Sequence, residues 1–163
     1  GRLWTSRGKS SEKFCGGSIW VDHASGYIDV RPQVSFSAAD TLHAKLQFER
    51  MAQSCGVKVV GYHTDNGIFG AAEFVDKIRE MGQDVRFSGV GTPHQNGVAE
   101  QAIGTVGRMA TPMLLHAAIR WPDVVDACLW PMILEYAAYV YNYIPHGASG
   151  IAPIDIWMQT TWP

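Results

Sequence analysis

Two periods of hydrophobic spacing alternate along this chain, and the switches between them outline its elements. Gly16 to Trp20 and Tyr27 to Arg31 are short β-rich runs flanking the turn-forming stretch Asp22-His23-Ala24-Ser25-Gly26, and together they predict a hairpin. Ser37 with Asp40 three residues on is the weaker, Asp form of a capping box. A helix is predicted from there to about Ser54, with Leu42 and Leu46 on one face and Gly56 as its stop signal. Val57 to Tyr62 is nearly continuous apolar, which predicts a strand buried on both faces of a parallel sheet.

Ala71 to Met81 reads as a short helix with Phe74, Val75 and Ile78 inward and Gly82 ending it; Val85 to Ser88 reads as a short strand. Gly89-Val90-Gly91-Thr92-Pro93 is a glycine-bearing loop expected to be mobile. From Asn96 onward Ala99, Ala102, Ile103, Val106, Ala110 and Met113 recur with a helical period, and Pro112 is expected to kink or end that helix. Pro131 suits the first position of another helix, with Leu134, Ala138 and Tyr141 on one face and Ile133, Ala137 and Val140 beside them. Pro145 stops it, and Pro153 to Trp157 makes a last short helix. Strands alternating with helices predict an α/β domain.

Composition narrows the class. A chain of 163 residues suits one domain with a real core, and 47% hydrophobic with 17% charged residues excludes a disordered segment. Cys15, Cys55 and Cys128 are odd in number and far apart, with no CxxC, which argues for a reducing compartment rather than a disulfide framework. The stretch Gly1-Arg2-Leu3-Trp4 lacks an apolar run, so it is not expected to be a signal peptide. The most apolar window, Val124 to Ile144, carries Asp126, Pro131, Glu135 and Asn142, so it reads as a buried helix and no membrane is expected.

Net charge is −2, which by itself does not point to nucleic acid. Arg2, Arg7, Lys9 and Lys13 cluster early, and after Arg86 only Arg108 and Arg120 remain. Binding of DNA would therefore draw on bound metal, on the N-terminal cluster or on other domains.

Candidate chemistry sits in two stretches, His63-Thr64-Asp65-Asn66-Gly67 and Thr92-Pro93-His94-Gln95-Asn96-Gly97-Val98-Ala99-Glu100. Each offers a carboxylate beside a turn, one after a predicted strand and one in or near the first turn of a predicted helix. Such a pair can clasp a hard divalent cation. An exposed strand-end Asp and a helix-start Glu favoured by the macrodipole would serve as well without metal. His63 and His94 lie on different segments with no Cys at ligand spacing, which speaks against zinc. The aromatic set Tyr136, Tyr139, Tyr141 and Tyr143 is read as helix packing rather than a base-stacking platform.

In wording and order these two stretches resemble the second and third acidic motifs of a retroelement integrase core, most closely the Copia-type retrotransposon version. Between Asp65 and Glu100 the spacing is one residue shorter than is usual in that family. The similarity extends through Trp20-Val21-Asp22-His23-Ala24-Ser25-Gly26-Tyr27, Trp130-Pro131 and Tyr141-Asn142, nearly the whole chain. The resemblance implies a ribonuclease H-like mixed sheet flanked by helices. It also implies two Mg²⁺ or Mn²⁺ ions held by three carboxylates, with Asp65 and Glu100 as catalytic metal ligands. His94, Gln95 and Asn96 stand where relatives contact DNA ends, and DNA and further copies of the protein are the implied partners. An intracellular site, the nucleus or a cytoplasmic retroelement particle, goes with them.

Asp22 is the obvious candidate for a third carboxylate, but its context matches the family's second strand and the turn into the third. A turn-capping role toward Ser25 or Gly26 is expected of it instead. On that alignment the family's first, central strand and its Asp precede Gly1. The chain is then expected to be a fragment: a linker or loop over 1–15, a core lacking its first strand over 16–144, and a C-terminal extension with a short helix over 145–163. It is expected to be inactive and poorly stable alone. Gln101 replaces the Arg that usually follows the Glu, basic residues along that helix are reduced to Arg108, and Pro112 interrupts it. Neither a His-His-Cys-Cys zinc module nor a C-terminal DNA-binding domain falls within these residues. A degenerate or domesticated binding domain without catalysis is the alternative, and another nuclease or transposase of the same fold a weaker one.

Overall fold

The computed structural model describes residues 14–64, 67–88, 97–147 and 150–158. A hairpin lies at its centre. Strand β1 (Gly16–Val21) pairs antiparallel with β2 (Ile28–Gln33), matching Ile19 to Val30 and Val21 to Ile28. Because side chains alternate faces along a strand, Ile19, Val21, Ile28 and Val30 pack on one side while Trp20 faces the other. The turn between the strands is built by Asp22. Its carboxylate accepts from the Ser25 backbone N–H at 2.7 Å and from the Ser25 hydroxyl at 2.6 Å, and its carbonyl accepts from Gly26 N–H at 2.8 Å. This is the capping role expected from the sequence.

Helix α1 (Ala38–Ser54) follows, capped by the Ser37 hydroxyl accepting from Asp40 N–H at 3.1 Å and ended at Gly56, whose φ is +77°. The strand expected over Val57 to Tyr62 is displaced: β3 is Gly61–Thr64, and it runs parallel to β4 (Asp84–Phe87). Val57 and Val59 do pack into the core, but Val60 is 73% exposed. The run is therefore one-sided, and pairing begins only where Gly61 meets Asp84. Between β3 and β4 comes α2 (Ala72–Glu80), burying Phe74, Val75 and Ile78 as its spacing predicts.

Helix α3 (Gly97–Arg120) buries Ala102, Val106 and Ala110. Pro112, expected to kink or end the helix, does not end it, and helical structure continues to Arg120. The ring lies on the exposed side, clear of the packed face, so the cost of one missing backbone bond falls where nothing else must move. Helix α4 (Trp130–Tyr143) packs along α3 and β2, and α5 (Pro153–Trp157) returns to the core.

The result is a mixed α/β arrangement in two apolar layers. One side of the hairpin packs on α3 and α4 through Val106, Leu134 and Ala137. On the other side, Trp20 stacks on Phe48 of α1 at 5.7 Å and meets Tyr62 of β3 edge-on at 5.6 Å, and Trp157 stacks on Tyr27 at 4.7 Å. Among the described residues the strands form two separate two-stranded sheets, β1–β2 and β3–β4, with no strand between them. No described helix is long and apolar enough to cross a membrane.

The tyrosines of α4 depart from the packing role expected for them. Tyr141 is partly buried, but Tyr136, Tyr139 and Tyr143 are each more than half exposed and stack on one another along the outer face. The inner face is already filled by Leu134, Ala137, Ala138 and Asn142, leaving these rings no core to enter.

Candidate functional site

One end of the parallel pair leads, along the chain, into the two stretches singled out in the sequence. At that end Thr64, the last residue of β3, is 8% exposed, and its carbonyl accepts from Ser88 N–H at 2.9 Å. His63 Nε2 and Ser88 Oγ are also hydrogen-bonded, at 3.1 Å. The C-terminal ends of β3 and β4 are thus tied together by a backbone and a side-chain bond. From Thr64 the sequence runs directly into Asp65, and from Ser88 into the segment that holds His94, Gln95 and Asn96. A crevice outside the carboxyl ends of parallel strands is where open α/β sheets commonly place ligands.

Asp65, His94, Gln95 and Asn96 themselves lie outside the described residues. Glu100 is described: it stands exposed in the first turn of α3, and no hydrogen bond or ion pair ties its carboxylate to the described residues. The first turn of a helix favours a carboxylate through the aligned backbone dipoles, and those dipoles oppose repulsion from a second acidic group. An uncommitted oxygen donor in that place fits a hard cation such as Mg²⁺ or Mn²⁺, and the absence of sulfur from the set disfavours a soft one. Among the described residues no three His, Cys, Asp or Glu side chains converge on a metal position. Asp22 is committed to its turn.

Beneath β3 lies a polar cluster that sequence reasoning missed. Lys45 of α1 is fully buried, and its Nζ donates to Gln83 Oε1 at 2.8 Å and to Glu49 Oε2 at 3.1 Å. Tyr62 of β3 donates its hydroxyl to Glu49 Oε1 at 2.7 Å, and Gln83 Nε2 donates to the same oxygen and to the Val59 carbonyl at 3.1 Å. Burial alone would raise the Glu49 pKa; the bonds from Tyr62, Gln83 and Lys45 outweigh it and hold the carboxyl below its ordinary range. Burial, with Glu49 beside it, pushes the Tyr62 hydroxyl far up, so it remains a donor. The one signal in the sequence was the i, i+4 pair Lys45 and Glu49 flanking the buried Phe48.

No protein-family model and no curated protein matches the chain. Solved structures do. The integrase catalytic core domain of HTLV-2, in complex with magnesium and in a trimeric form, superposes with a TM-score of 0.67 at 20% identity, covering 90% of this chain and 88% of that one. The catalytic core domain of BIV integrase gives 0.63 at 19% identity, covering 90% and 89%. A simian T-cell lymphotropic virus intasome in complex with the PP2A regulatory subunit B56 gamma gives 0.68 at 16%, covering 89% of this chain and 49% of that one. The chain therefore has the ribonuclease H-like fold of retroviral integrase catalytic cores, as the motifs implied.

Proposed function

We propose that this chain is the core segment of a retrotransposon integrase, of Copia type by its motif wording, whose complete form joins element DNA to target DNA. One observation carries the reading. In a fold shared with integrase cores, the tied ends of β3 and β4 lead into the two segments that bear the integrase-like motifs.

In this reading Asp65 and Glu100 hold the divalent ions, which when bound supply an activated oxygen nucleophile and a stabilised leaving oxygen for phosphoryl transfer. The residues of the chain do the rest. β3 ends at Thr64, one residue before Asp65, and α3 carries Glu100 in its first turn with dipole support. His94, Gln95 and Asn96 are the residues proposed to contact the DNA backbone near the reacting phosphate. A strand carrying the third carboxylate fills the place between β1 and β3. Support for it comes from the outer edges: Asn142 of α4 bonds the backbone of Ile28 and closes β2, whereas β1 has no second neighbour among the described residues.

Self-association belongs to the same proposal. Met132, Tyr136, Tyr139 and Tyr143 recur at spacings of four, three and four, the seam of a helix that packs on another helix. They are 54–64% exposed. An HTLV-2 integrase core is known in both trimeric and dimeric forms. Work in the nucleus, or in a cytoplasmic retroelement particle, follows from the proposed reaction.

The test is strand transfer with Mg²⁺ or Mn²⁺ by the chain expressed together with its preceding coding sequence. Activity abolished by both Asp65→Asn and Glu100→Gln supports the reading; activity surviving both sinks it. The second reading, a binding domain without catalysis, is favoured by α3, whose cations are only Arg108 and Arg120, with Gln101 beside Glu100. It expects salt-sensitive DNA affinity and no metal-dependent joining.

A further inference from the structure

The half-buried cluster that Glu49, Tyr62 and Gln83 form around the buried Lys45 has geometry beyond what packing requires. Glu49 accepts bonds from three parts of the chain: Lys45 on its own helix, Tyr62 in β3, and Gln83 in the turn before β4. Gln83 also bonds the Val59 carbonyl, next to the point where Asp84 N–H bonds Val60 at 3.2 Å. Its side chain thus extends the β3–β4 ladder one step backward. Lys45 lies 5.4 Å from the centre of the Tyr62 ring and 3.2 Å from Met81 Sδ, so its charge is enclosed on every side.

β3 and β4 are only four residues long. A pair that short holds few ladder bonds, and a one-residue slip would exchange the faces of all its side chains. Apolar contacts do not resist such a slip strongly, since neighbouring apolar residues substitute for one another. A hydrogen-bonded cluster does, because a displaced β3 would pull the Tyr62 hydroxyl off Glu49 and the Val59 carbonyl off Gln83, while Lys45 and Glu49 stay fixed on α1.

We propose that this cluster is a register lock for β3, and that Lys45, Glu49, Tyr62 and Gln83 are positioning residues that set the height at which β3 ends at Thr64, one residue before Asp65. The metal part of this inference rests on the reading of Asp65 given above; the lock itself does not.

The experiment separates register from stability. In the full chain, Lys45→Met, Glu49→Leu and Tyr62→Phe are combined, so the charges are removed together and no ion is left buried alone. Apolar replacement of a buried pair commonly leaves stability unchanged or raised. Expected is a melting temperature at or above that of the parent, with amide exchange at Asp84 and Ser88 at least tenfold faster and that at Val106 and Ala137 unchanged. Mn²⁺ affinity, read by paramagnetic broadening, is expected to fall about tenfold. Unchanged exchange at Asp84 and Ser88, or equal acceleration at all four amides, overturns the lock. A parent protein showing no Asp65-dependent Mn²⁺ effect refutes the metal reading, and the exchange result still decides the lock. Should the triple variant fail to fold, Tyr62→Phe alone is expected to speed exchange about threefold at the same two amides only; acceleration shared with Val106 overturns the lock as well.

Discussion

The side-chain amide of Asn142 makes two hydrogen bonds to the backbone of Ile28: its Oδ1 accepts from Ile28 N–H at 2.9 Å and its Nδ2 donates to the Ile28 carbonyl at 2.7 Å. Asn142 is 2% exposed and comes from the last turn of α4. One side chain therefore does at this point what a neighbouring strand would do, and it closes the outer edge of β2 against further pairing.

Asn142→Leu removes both bonds and leaves a buried N–H and a buried carbonyl without partners. A loss of roughly 2–4 kcal/mol is expected, since each unsatisfied buried group costs about 1–3 kcal/mol. Urea denaturation measures it. Asn142→Asp keeps the acceptor but sets a buried carboxylate against the Ile28 carbonyl. At neutral pH it should therefore cost at least as much as the Leu variant, and recover in acid, where the protonated carboxyl can donate. No such recovery would show that packing volume, not hydrogen bonding, is at stake.

Asp22 and Glu100 test opposite expectations. Asp22→Ala breaks the turn bonds to Ser25, and a stability loss of about 1 kcal/mol is expected, by analogy with the loss of a helix cap. Mn²⁺ affinity should not change. Glu100→Gln should do the reverse, weakening Mn²⁺ with little change in the urea midpoint, because its carboxylate is exposed and bonds nothing among the described residues.

Pro112 within α3 withholds one backbone bond on an exposed face. Pro112→Ala restores a donor and is expected to stabilise the protein by roughly 1–3 kcal/mol, given about 3 kcal/mol between Pro and Ala in a helix interior. Thermal melting checks the sign. A fall in Tm would mean that α3 is bent there to fit its neighbours.

Glu49 makes stability depend on acid. Its folded pKa lies below the ordinary value, so the unfolded chain binds the proton more readily. The stability it contributes is fully present above the ordinary carboxyl range, near pH 4.5, and is lost as pH falls below that through the folded pKa. Asp29, raised by burial despite its pairing with Arg31, works in the opposite direction. Urea midpoints between about pH 6 and pH 3 should fall less steeply in the variant combining Lys45→Met and Glu49→Leu than in the parent.

Much of the fold was legible because it is written in local patterns. The hairpin, the Ser37 cap, the inward face of α2 and the turn role of Asp22 all rest on residues within a few positions of one another. What was not legible depends on distant partners. The Asn142 bond spans 114 residues, and nothing near Asn142 announces it. Lys45 reads as a solvated charge until Gln83 and Tyr62 close over it. The tyrosines of α4 read as helix packing from composition alone, yet Leu134, Ala137, Ala138 and Asn142 already fill the inner face. Propensity alone predicts a break at Pro112, and tertiary packing of α3 on α4 and β1 carries the helix past it. At the candidate site the motifs named Asp65 and Glu100, and of these the structure places Glu100.

The most direct measurement is a Mn²⁺ titration of the protein followed by paramagnetic broadening of its backbone amides. Broadening is expected to centre on Thr64 and on the first turn of α3, to be weakened at least tenfold by Asp65→Asn and equally by Glu100→Gln, and to be untouched by Asp22→Ala. Broadening centred elsewhere, or unchanged by those two substitutions, would contradict a shared carboxylate metal site.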